Sequence, residues 1–520
     1  MLTKHPRAKN PKRTGKRKDT RENYGNSTAS PGSPIHFSCC LSDKSTALPH
    51  FWEHTVGSGH APLALRADWQ QQLKECHQQI GFRHVRFHDI LSDDMGTLMD
   101  EQNQLRYSFF NADQICDFLL SIGMKPFVEL SFMPSTLSSG SKTVFHYCAN
   151  VTPPKNYAAW AKFIGKLVTH WVQRYGIDEV SLWFFEVWNE PNLKSFWTGT
   201  KADYFKLYRF TAFAIKEVDC RLQVGGPATA KNEWITEFLD FCDKNNVPVD
   251  FVSTHHYPTD ALGSIGEDTE TQLAHGKRSI LRTWAQDTHR KAHGKPLYYT
   301  EWSSSSNPRD HLHDEPYTAA VIIKTMMEAR GLVQGYSYWT FSDIFEENYM
   351  PATAFQGGFG LLTLQGIAKP SYRAFELLHR LGVDELPVKG VHETVDVWVV
   401  RGRDAVTVLL TNHALPRHPI ETESVHIQLT GLPAPRNVYI ERIDDDHANA
   451  KRLWIEMGKP AIPTPREVEQ LRTASQILRE LLQWKYEAET LHLDIAMPPH
   501  AIAAITVELA PKRSSGDAQS

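Results

Sequence analysis

The sequence predicts an α/β protein, a (β/α)8 TIM barrel followed by a C-terminal β-sandwich accessory domain. Eight short apolar segments alternate with amphipathic helical segments from residue 34 to residue 382 of the 520, which predicts the barrel. Beyond residue 382 the segments alternate in polarity or are β-branched, at spacings typical of antiparallel sheets. A doubly wound open sheet is the rival fold, but its glycine-rich phosphate-binding turn after the first strand is missing.

The predicted barrel strands are almost wholly apolar and bounded by turn residues, which indicates burial on both faces. They cover residues 34–42, 82–90, 125–132, 180–190, 222–227, 250–258, 296–303 and 334–341. The predicted helices between them carry apolar residues at helical spacing. They cover residues 66–80, 111–124, 157–175, 202–218, 233–244, 271–293, 316–330 and 371–381.

The accessory domain is predicted to contain a helical insertion. Thr464-Pro-Arg-Glu467 is a capping box with proline at the first helical position. The apolar residues that follow it are Val468, Leu471, Ile477, Leu478 and Leu481. The predicted domains are a disordered basic tail at 1–33, the barrel at 34–382, the β-sandwich at 383–510 and a disordered tail at 511–520.

The charge of the N-terminal segment is the strongest compositional bias in the chain. Residues 1–23 carry nine Lys or Arg residues against two acidic ones. Such a run is more often a solvated tail than a binding surface, so we expect neither a nucleic-acid partner nor a membrane partner. No apolar stretch approaches the ~20 residues that span a bilayer, and no secretory signal is evident. The seven scattered cysteines suit free thiols and favour a cytoplasmic location.

Two glutamates carry the strongest chemical signal. Glu190 lies in the run 183–192 (WFFEVWNEPN), and Glu301 lies in the run 296–302 (PLYYTEW). Each closes a buried apolar strand, where an ionisable group costs desolvation energy and therefore indicates a function. Two carboxylates that converge in one cleft are what the cleavage of a glycosidic bond requires.

Other polar residues end the neighbouring predicted strands, and the active site of a barrel lies at that edge. Arg86 is expected to hold one carboxylate ionised, and Tyr257 to hydrogen-bond to it. Asn189 is expected to bind the 2-hydroxyl of a sugar. Glu186 shares strand parity with Glu190 but lies deeper, so it is expected to be a buried ion-pair partner. His255 is followed by a second histidine, but neighbours on a strand face opposite ways, so this pair is not expected to bind a metal.

Several longer runs resemble one family of enzymes. The motifs Trp188-Asn-Glu-Pro-Asn192 and Thr300-Glu-Trp302 are similar to the signatures of the large clan of (β/α)8 retaining glycosidases. The fuller runs resemble glycoside hydrolase family 39, in particular its bacterial β-xylosidases, over roughly residues 34 to 510. These runs begin at Gly57, Arg86, Glu129, Phe185, Ser253 and Tyr338, and the accessory domain adds Asp446-His-Ala-Asn449.

The resemblance implies a retaining mechanism through a covalent glycosyl-enzyme, without metal or cofactor. It also implies that Glu190 is the acid/base and Glu301 the nucleophile. The predicted substrate-binding residues are His60, Arg86, Phe132, Asn189, His255, Tyr257, Trp339, Glu346 and Glu347.

The family also contains α-L-iduronidases, whose substrate bears a carboxylate. Here the run from Asp343 to Glu347 is acidic, and carboxylates accept hydrogen bonds from neutral sugars but repel a uronate. We therefore expect an exo-acting β-xylosidase that trims short xylo-oligosaccharides, with small oligosaccharides or aryl glycosides as its partners. The alternatives are an α-L-iduronidase, another neutral β-glycosidase, and a catalytically silent carbohydrate-binding protein. Assembly into a homo-oligomer is left open.

Overall fold

The computed structural model of the protein describes residues 34–102, 104–259, 268–347 and 349–509, so the predicted tails at 1–33 and 511–520 lie outside it. Its eight central strands are parallel and close into a barrel, which confirms the predicted fold class. In chain order these barrel strands are Thr55–His60, His84–His88, Lys125–Glu129, Phe184–Glu186, Gln223–Thr229, Phe251–His255, Leu297–Trp302 and Gly335–Tyr338.

Most of the helices around the barrel bury one face. Tyr157–Tyr175 is an example: the side chain of Asn156 caps its N-terminus by accepting a bond from the Ala159 amide, and Trp160 and Trp171 face the core. The helices of this ring are Ala67–Ile80, Phe110–Ser121, Tyr157–Tyr175, Ile177–Val180, Lys201–Val218, Ile235–Asn245, Thr269–Ala274, Ile280–Lys291, Pro316–Ala329 and Pro370–His379. None of the helices within the described ranges is long and apolar enough to cross a bilayer.

A layer of four aromatic rings fills the barrel interior below the strand ends. Phe127, Phe184, Phe251 and Tyr298 come from four strands and form one buried cluster. The rings of Phe127 and Phe184 are stacked with their centroids 5.0 Å apart. This layer closes the barrel from below, so only the C-terminal ends of the strands leave room for a site.

One predicted barrel strand is wrong. Residues 34–42 do form a strand, Ile35–Cys40, but it pairs in parallel with Glu423–Thr430 in the accessory domain. Its residues are buried only alternately, as in a sheet with one solvated face. The first barrel strand is Thr55–His60, which is buried throughout and contains two glycines in place of large apolar side chains.

The accessory domain is a sandwich of two sheets whose inner faces share one apolar core, with Phe37, Val425 and Leu493 from one sheet and Val408 and Ile505 from the other. The first sheet contains, in spatial order, Val388–Lys389, Ile35–Cys40, Glu423–Thr430, Thr490–Met497 and Lys485–Glu487. The second sheet contains Thr46–Ala47, Asp384–Leu386, Val395–Arg401, Ala405–Asn412, Ile502–Leu509, Pro435–Ile443 and Arg479–Leu481.

The helical insertion is present as predicted but is shorter. Thr464 and Glu467 form the capping box, and the helix they begin is Pro465–Ala474, preceded by Ala450–Glu456. Ile477 and Leu478 therefore lie beyond the helix, and Leu481 ends the strand Arg479–Leu481.

Candidate active site

The two predicted catalytic glutamates lie at the C-terminal end of the barrel, where its parallel strands open. Glu301 belongs to the seventh barrel strand, and Glu190 follows the fourth by four residues. The backbone of Glu190 is left-handed, with φ of 44°, and its amide donates to the carbonyl of Ala228 at 2.8 Å. A glutamate held in this sparsely populated region is typical of a functional position.

The two carboxylates share His255 as a neighbour. His255 Nδ1 lies 3.0 Å from Glu190 Oε1 and 3.5 Å from Glu301 Oε2. One nitrogen of His255 and one carboxylate oxygen of each glutamate all lie within 4.8 Å of one another. That spacing is compatible with the ~5–5.5 Å between the carboxyl groups of a retaining glycosidase.

Arg86 organises the floor of the site through carboxylates on several strands. Its Nε lies 2.6 Å from Glu186 Oε2 and its Nη2 2.7 Å from Glu129 Oε2. Its Nη1 lies 3.4 Å from Glu301 Oε2, and Nη2 donates to Asn189 Oδ1 at 2.9 Å. The predicted role of Glu186 as a buried ion-pair partner is confirmed. Because Arg86 is fully buried, direct contact with a sugar stays a prediction.

Arg86 and His88 oppose the effect of burial at both glutamates, so the two carboxylates differ in the hydrogen bonds that they accept, from His255 at Glu190 and from Tyr257 at Glu301. Burial raises the pKa of Glu190 to about 7. Burial also raises the pKa of Glu301, but Arg86 opposes this and the Tyr257 hydroxyl donates to Glu301 Oε1. Of the coupled pair, Glu190 is therefore the group that retains a proton.

His88 pairs with two carboxylates next to the Arg86 cluster. Its Nδ1 lies 2.6 Å from Glu129 Oε2 and its Nε2 3.3 Å from Glu347 Oε1. Burial alone would lower the pKa of His88, but these two carboxylates raise it well above its ordinary value. The His88 ring centre lies 4.9 Å from that of Trp339. His88 therefore joins the third strand to the loop after the eighth.

His60 contacts residues of three different loops at the C-terminal end of the barrel. Its Nδ1 lies 2.5 Å from Glu346 Oε1 and its Nε2 2.6 Å from Asp94 Oδ2. Burial would lower the pKa of His60, but the bonds to Asp94 and Glu346 raise it to about 9. Tyr147 stacks on the imidazole with ring centres 3.7 Å apart.

Two predicted aromatic residues line the same region. Arg86 Cζ lies 5.9 Å from the centre of the Trp339 ring, which brings this ring to the edge of the carboxylate network. Phe132 is fully buried, with its ring edge-on to Trp188 at 5.5 Å. Phe132 therefore lies behind the site, and a direct contact with sugar stays a prediction for this residue.

The structure thus brings all the predicted site residues to one end of the barrel. Several partners among them were not predicted: His88, Asp94, Glu129 and Tyr147. Glu129 and His88 had a signal, because each ends a barrel strand. Asp94 and Tyr147 lie in loops, and no local pattern marks them.

Glu190, His255 and Glu301 also bring three side chains of metal-ligand types close together. Hydrogen bonds already account for their facing atoms: His255 Nδ1 pairs with Glu190, and Tyr257 with Glu301. The expectation that the reaction uses no metal or cofactor stays a prediction.

A (β/α)8 barrel that holds two buried, unlike carboxylates at its C-terminal end is the arrangement of a glycosidase, and this chain is one. The profile of "Glycosyl hydrolases family 39" matches residues 40–487. The chain belongs to that family, as the motifs predicted.

Individual relatives agree with this assignment. The chain is 48% identical over 464 residues to a β-xylosidase of Caldicellulosiruptor saccharolyticus, covering 88% of this chain and 95% of that protein. It superimposes on the crystal structure of a monomeric β-xylosidase from Caulobacter crescentus CB15 with a TM-score of 0.81 and 34% identity, covering 92% of this chain and all of that one. Human α-L-iduronidase is more distant, at 24% identity over 484 residues, or 82% of this chain and 71% of that protein.

Proposed function

We propose that the protein is an exo-acting β-xylosidase that releases xylose from short xylo-oligosaccharides with retention of configuration. The observation that carries this proposal is the close approach of Glu190 and Glu301, both buried, with different partners for each carboxylate. Only the retaining mechanism uses two carboxyl groups at this separation, because the inverting mechanism needs room for a water between them.

In the first step Glu301 attacks the anomeric carbon while Glu190 gives its proton to the departing glycosidic oxygen. The bond from carbon to that oxygen breaks, and an ester of the sugar with Glu301 forms. In the second step Glu190, now ionised, takes a proton from water. The hydroxide equivalent attacks the anomeric carbon, the ester bond breaks, and Glu301 leaves as a carboxylate.

The neighbours of the pair suit these two tasks. Arg86 and Tyr257 hold Glu301 ionised and aligned for attack. The raised pKa of Glu190, about 7, keeps a proton available near neutral pH. Asn189 accepts a hydrogen bond from Arg86 Nη2 at 2.9 Å, which orients its amide for a hydrogen bond to the sugar 2-hydroxyl.

A neutral sugar fits the charges at the rim. Glu346 and Glu347 reach the site as carboxylates bonded to His60 and His88. Their remaining oxygens accept hydrogen bonds from hydroxyl groups and would repel a uronate. This supports xylose over iduronate, in agreement with the names of the more similar relatives.

The loops on this side support exo-cleavage. His60 binds Asp94 and Glu346, and His146 stacks on Tyr349 with ring centres 4.8 Å apart. These contacts join the loops after several barrel strands beside the carboxylate pair, which suits a site that admits only the end of a sugar chain. Short oligosaccharides and aryl glycosides are therefore the partners we propose.

A cytoplasmic location stays a prediction, supported by the seven cysteines, all of which are free thiols. Assembly into a homo-oligomer likewise stays open.

The experiment that tests the function is release of the aryl alcohol from an aryl β-xyloside, with xylobiose as a second substrate. We expect turnover by the wild-type protein and none by Glu301→Ala, while the exposed helix residue Glu217, changed to alanine, serves as the matched control. Hydrolysis of an aryl iduronide but not of the xyloside would overturn the sugar assignment. Binding of xylose without turnover by the wild type would instead indicate a carbohydrate-binding protein.

A further inference from the structure

Three histidines lie together on the solvent-facing side of the accessory domain's five-stranded sheet. They are His36 on Ile35–Cys40, His426 on Glu423–Thr430 and His492 on Thr490–Met497, which are neighbouring strands. The three side chains are exposed or half-buried. The residues directly before and after His426 and His492 are buried, because neighbours on a strand point to opposite faces of the sheet. Neither the glycosidase site nor the sandwich core uses this cluster, which we call the histidine face.

We propose that the histidine face is a binding site for a divalent transition-metal cation of the zinc type. His426 Nε2 and His492 Nδ1 face each other at 3.3 Å. Two imidazole nitrogens bound to one tetrahedral zinc, each at 2.0–2.1 Å, lie about 3.3 Å apart by simple trigonometry. The two nitrogens therefore already have the separation that a shared metal ion requires.

An aspartate orients the His426 imidazole by binding its other ring nitrogen. Asp494 Oδ1 lies 2.7 Å from Nδ1 of His426, the ring nitrogen opposite the one that faces His492. Asp494 is directly across from His426 in the strand pairing. A carboxylate that binds the second nitrogen of a histidine fixes its tautomer and leaves the first nitrogen as an acceptor, as in carboxylate–histidine–zinc arrangements. That nitrogen, His426 Nε2, now accepts a hydrogen bond from His492 Nδ1, and a metal ion would replace the shared proton.

His36 supplies a third imidazole. It lies directly opposite His426 in the parallel pairing of their strands, and the two ring centres are 5.1 Å apart. His36 is exposed, and in the proposed site its side chain changes rotamer to bring a nitrogen toward His426 and His492. Three imidazoles and water complete a tetrahedral shell, and nitrogen ligands of this kind favour zinc, copper and nickel over magnesium or calcium.

A metal ion at this position would connect three strands that are distant in sequence. The strand that contains His36 is the first described segment of the chain, and it pairs with the strand of His426, which in turn pairs with the strand of His492. Binding would therefore stabilise the folded accessory domain by mass action, without any contact with the barrel site. It would also weaken in acid, because only neutral imidazole binds a metal.

The test is isothermal titration calorimetry of the full chain, without an oligohistidine tag, with ZnCl₂ and with MgCl₂. The protein should carry Glu301→Gln, which removes one ligand of the Glu190–His255–Glu301 group and so isolates the histidine face. We expect one zinc ion bound per chain, no magnesium, and a rise in the thermal denaturation midpoint with zinc.

Variants assign the ligands. His426→Ala and His492→Ala should abolish zinc binding and the rise in midpoint, and Asp494→Asn should weaken binding roughly 10-fold or more. The matched control is His447→Ala, since His447 Nδ1 also lies 2.7 Å from an aspartate, Asp444, and should bind zinc like the parent. Absence of zinc binding in the parent, or unchanged binding in His426→Ala and His492→Ala, would overturn the proposal.

Discussion

His255 donates a hydrogen bond from Nδ1 to Glu190 Oε1, over 3.0 Å. Its other ring nitrogen, Nε2, lies 3.3 Å from Arg86 Nη2. A guanidinium group can only donate, so Nε2 must accept and the ring proton must lie on Nδ1. Burial lowers the pKa of His255 to about 4, so the ring is neutral near pH 7. Glu190 therefore accepts a bond from a neutral donor whose tautomer Arg86 determines.

The pH profile of kcat/KM should be bell-shaped. Glu190 must be protonated for the first step, and its pKa of about 7 predicts that activity falls as the pH rises through this region. Activity should fall on the acid side as Glu301 gains a proton. The two apparent pKa values belong to the coupled pair. Rates on xylobiose from pH 4 to pH 10 would check this, and full activity above pH 9 would contradict it.

His255→Phe should move the alkaline limb of that profile to higher pH. The Nδ1–H bond stabilises the ionised form of Glu190, so its loss raises the pKa of this carboxyl. Phenylalanine keeps the volume of the ring and the exclusion of water. His289→Phe, on an exposed helix position, is the control and should leave the profile unchanged. A limb that moves to lower pH would show that His255 does not support the charged form.

Glu190→Ala should slow poor leaving groups more than good ones. Xylobiose needs a proton on its departing oxygen, so its hydrolysis should fall by ~10²–10⁴-fold, the usual contribution of a general acid. An aryl xyloside with a strongly acidic phenol needs no such help in the first step and should lose less. Comparing kcat/KM on the two substrates checks this, and azide should partly restore turnover. Equal losses on both substrates would argue against the acid role.

The predictions from sequence succeeded where a strand is uninterruptedly apolar. The segment that holds Glu301 is an example, since it is buried throughout and lies where predicted. The prediction of the first barrel strand failed because Gly57 and Gly59 interrupt the apolar pattern of the segment Thr55–His60. A Cβ on Gly59 would lie 2.8 Å from the ring of Phe345, and one on Gly57 would meet Trp339. These two aromatic residues are almost 300 residues away in the sequence, so the local sequence does not show why glycine is needed.

The site residues divide in the same way: those near the ends of strands could be predicted from the sequence, and those in loops could not. Arg86 and Tyr257 could be predicted because each lies within two residues of the C-terminal end of a barrel strand, where side chains converge. Asp94 and Tyr147 could not, because each reaches His60 from a loop whose path depends on tertiary contacts.

Acid should destabilise the contact between barrel and accessory domain. His413 and His500 of the accessory domain pack on Tyr317 of the barrel, each with ring centres 5.2 Å from it. Burial lowers the pKa of His500 to about 4, and burial with nearby cations lowers that of His413 well below its ordinary value. In the unfolded chain both histidines bind protons near pH 6.5.

Between pH 6.5 and pH 4 the unfolded state therefore binds more protons, and the free energy of unfolding falls as the pH falls. The contribution of His500 is up to roughly 3 kcal/mol over this window. Between pH 6.5 and pH 4 the urea denaturation midpoint of the wild type should fall more steeply than that of His500→Phe, because the variant lacks one of the two titrations. Identical slopes of midpoint against pH would contradict this assignment.

Lys369→Met should strongly destabilise the loop after the eighth barrel strand. Lys369 is fully buried, and its Nζ lies 2.8 Å from Asp314 Oδ1 and 2.7 Å from Asp343 Oδ2. It also donates to the carbonyl of Gly358 at 2.9 Å. Methionine fills the same volume but leaves two buried carboxylates without a cation, which costs about 3–5 kcal/mol. The urea denaturation midpoint should fall accordingly.

Two further variants separate the charge effect from the change of side chain. Lys277→Met makes the same substitution at an exposed position and should leave the midpoint nearly unchanged. Adding Asp343→Asn to Lys369→Met removes one unpaired carboxylate and should recover part of the loss. If Lys369→Met and Lys277→Met gave equal midpoints, the buried cluster would not be what holds this loop, and the position of Glu346 and Glu347 would need another explanation.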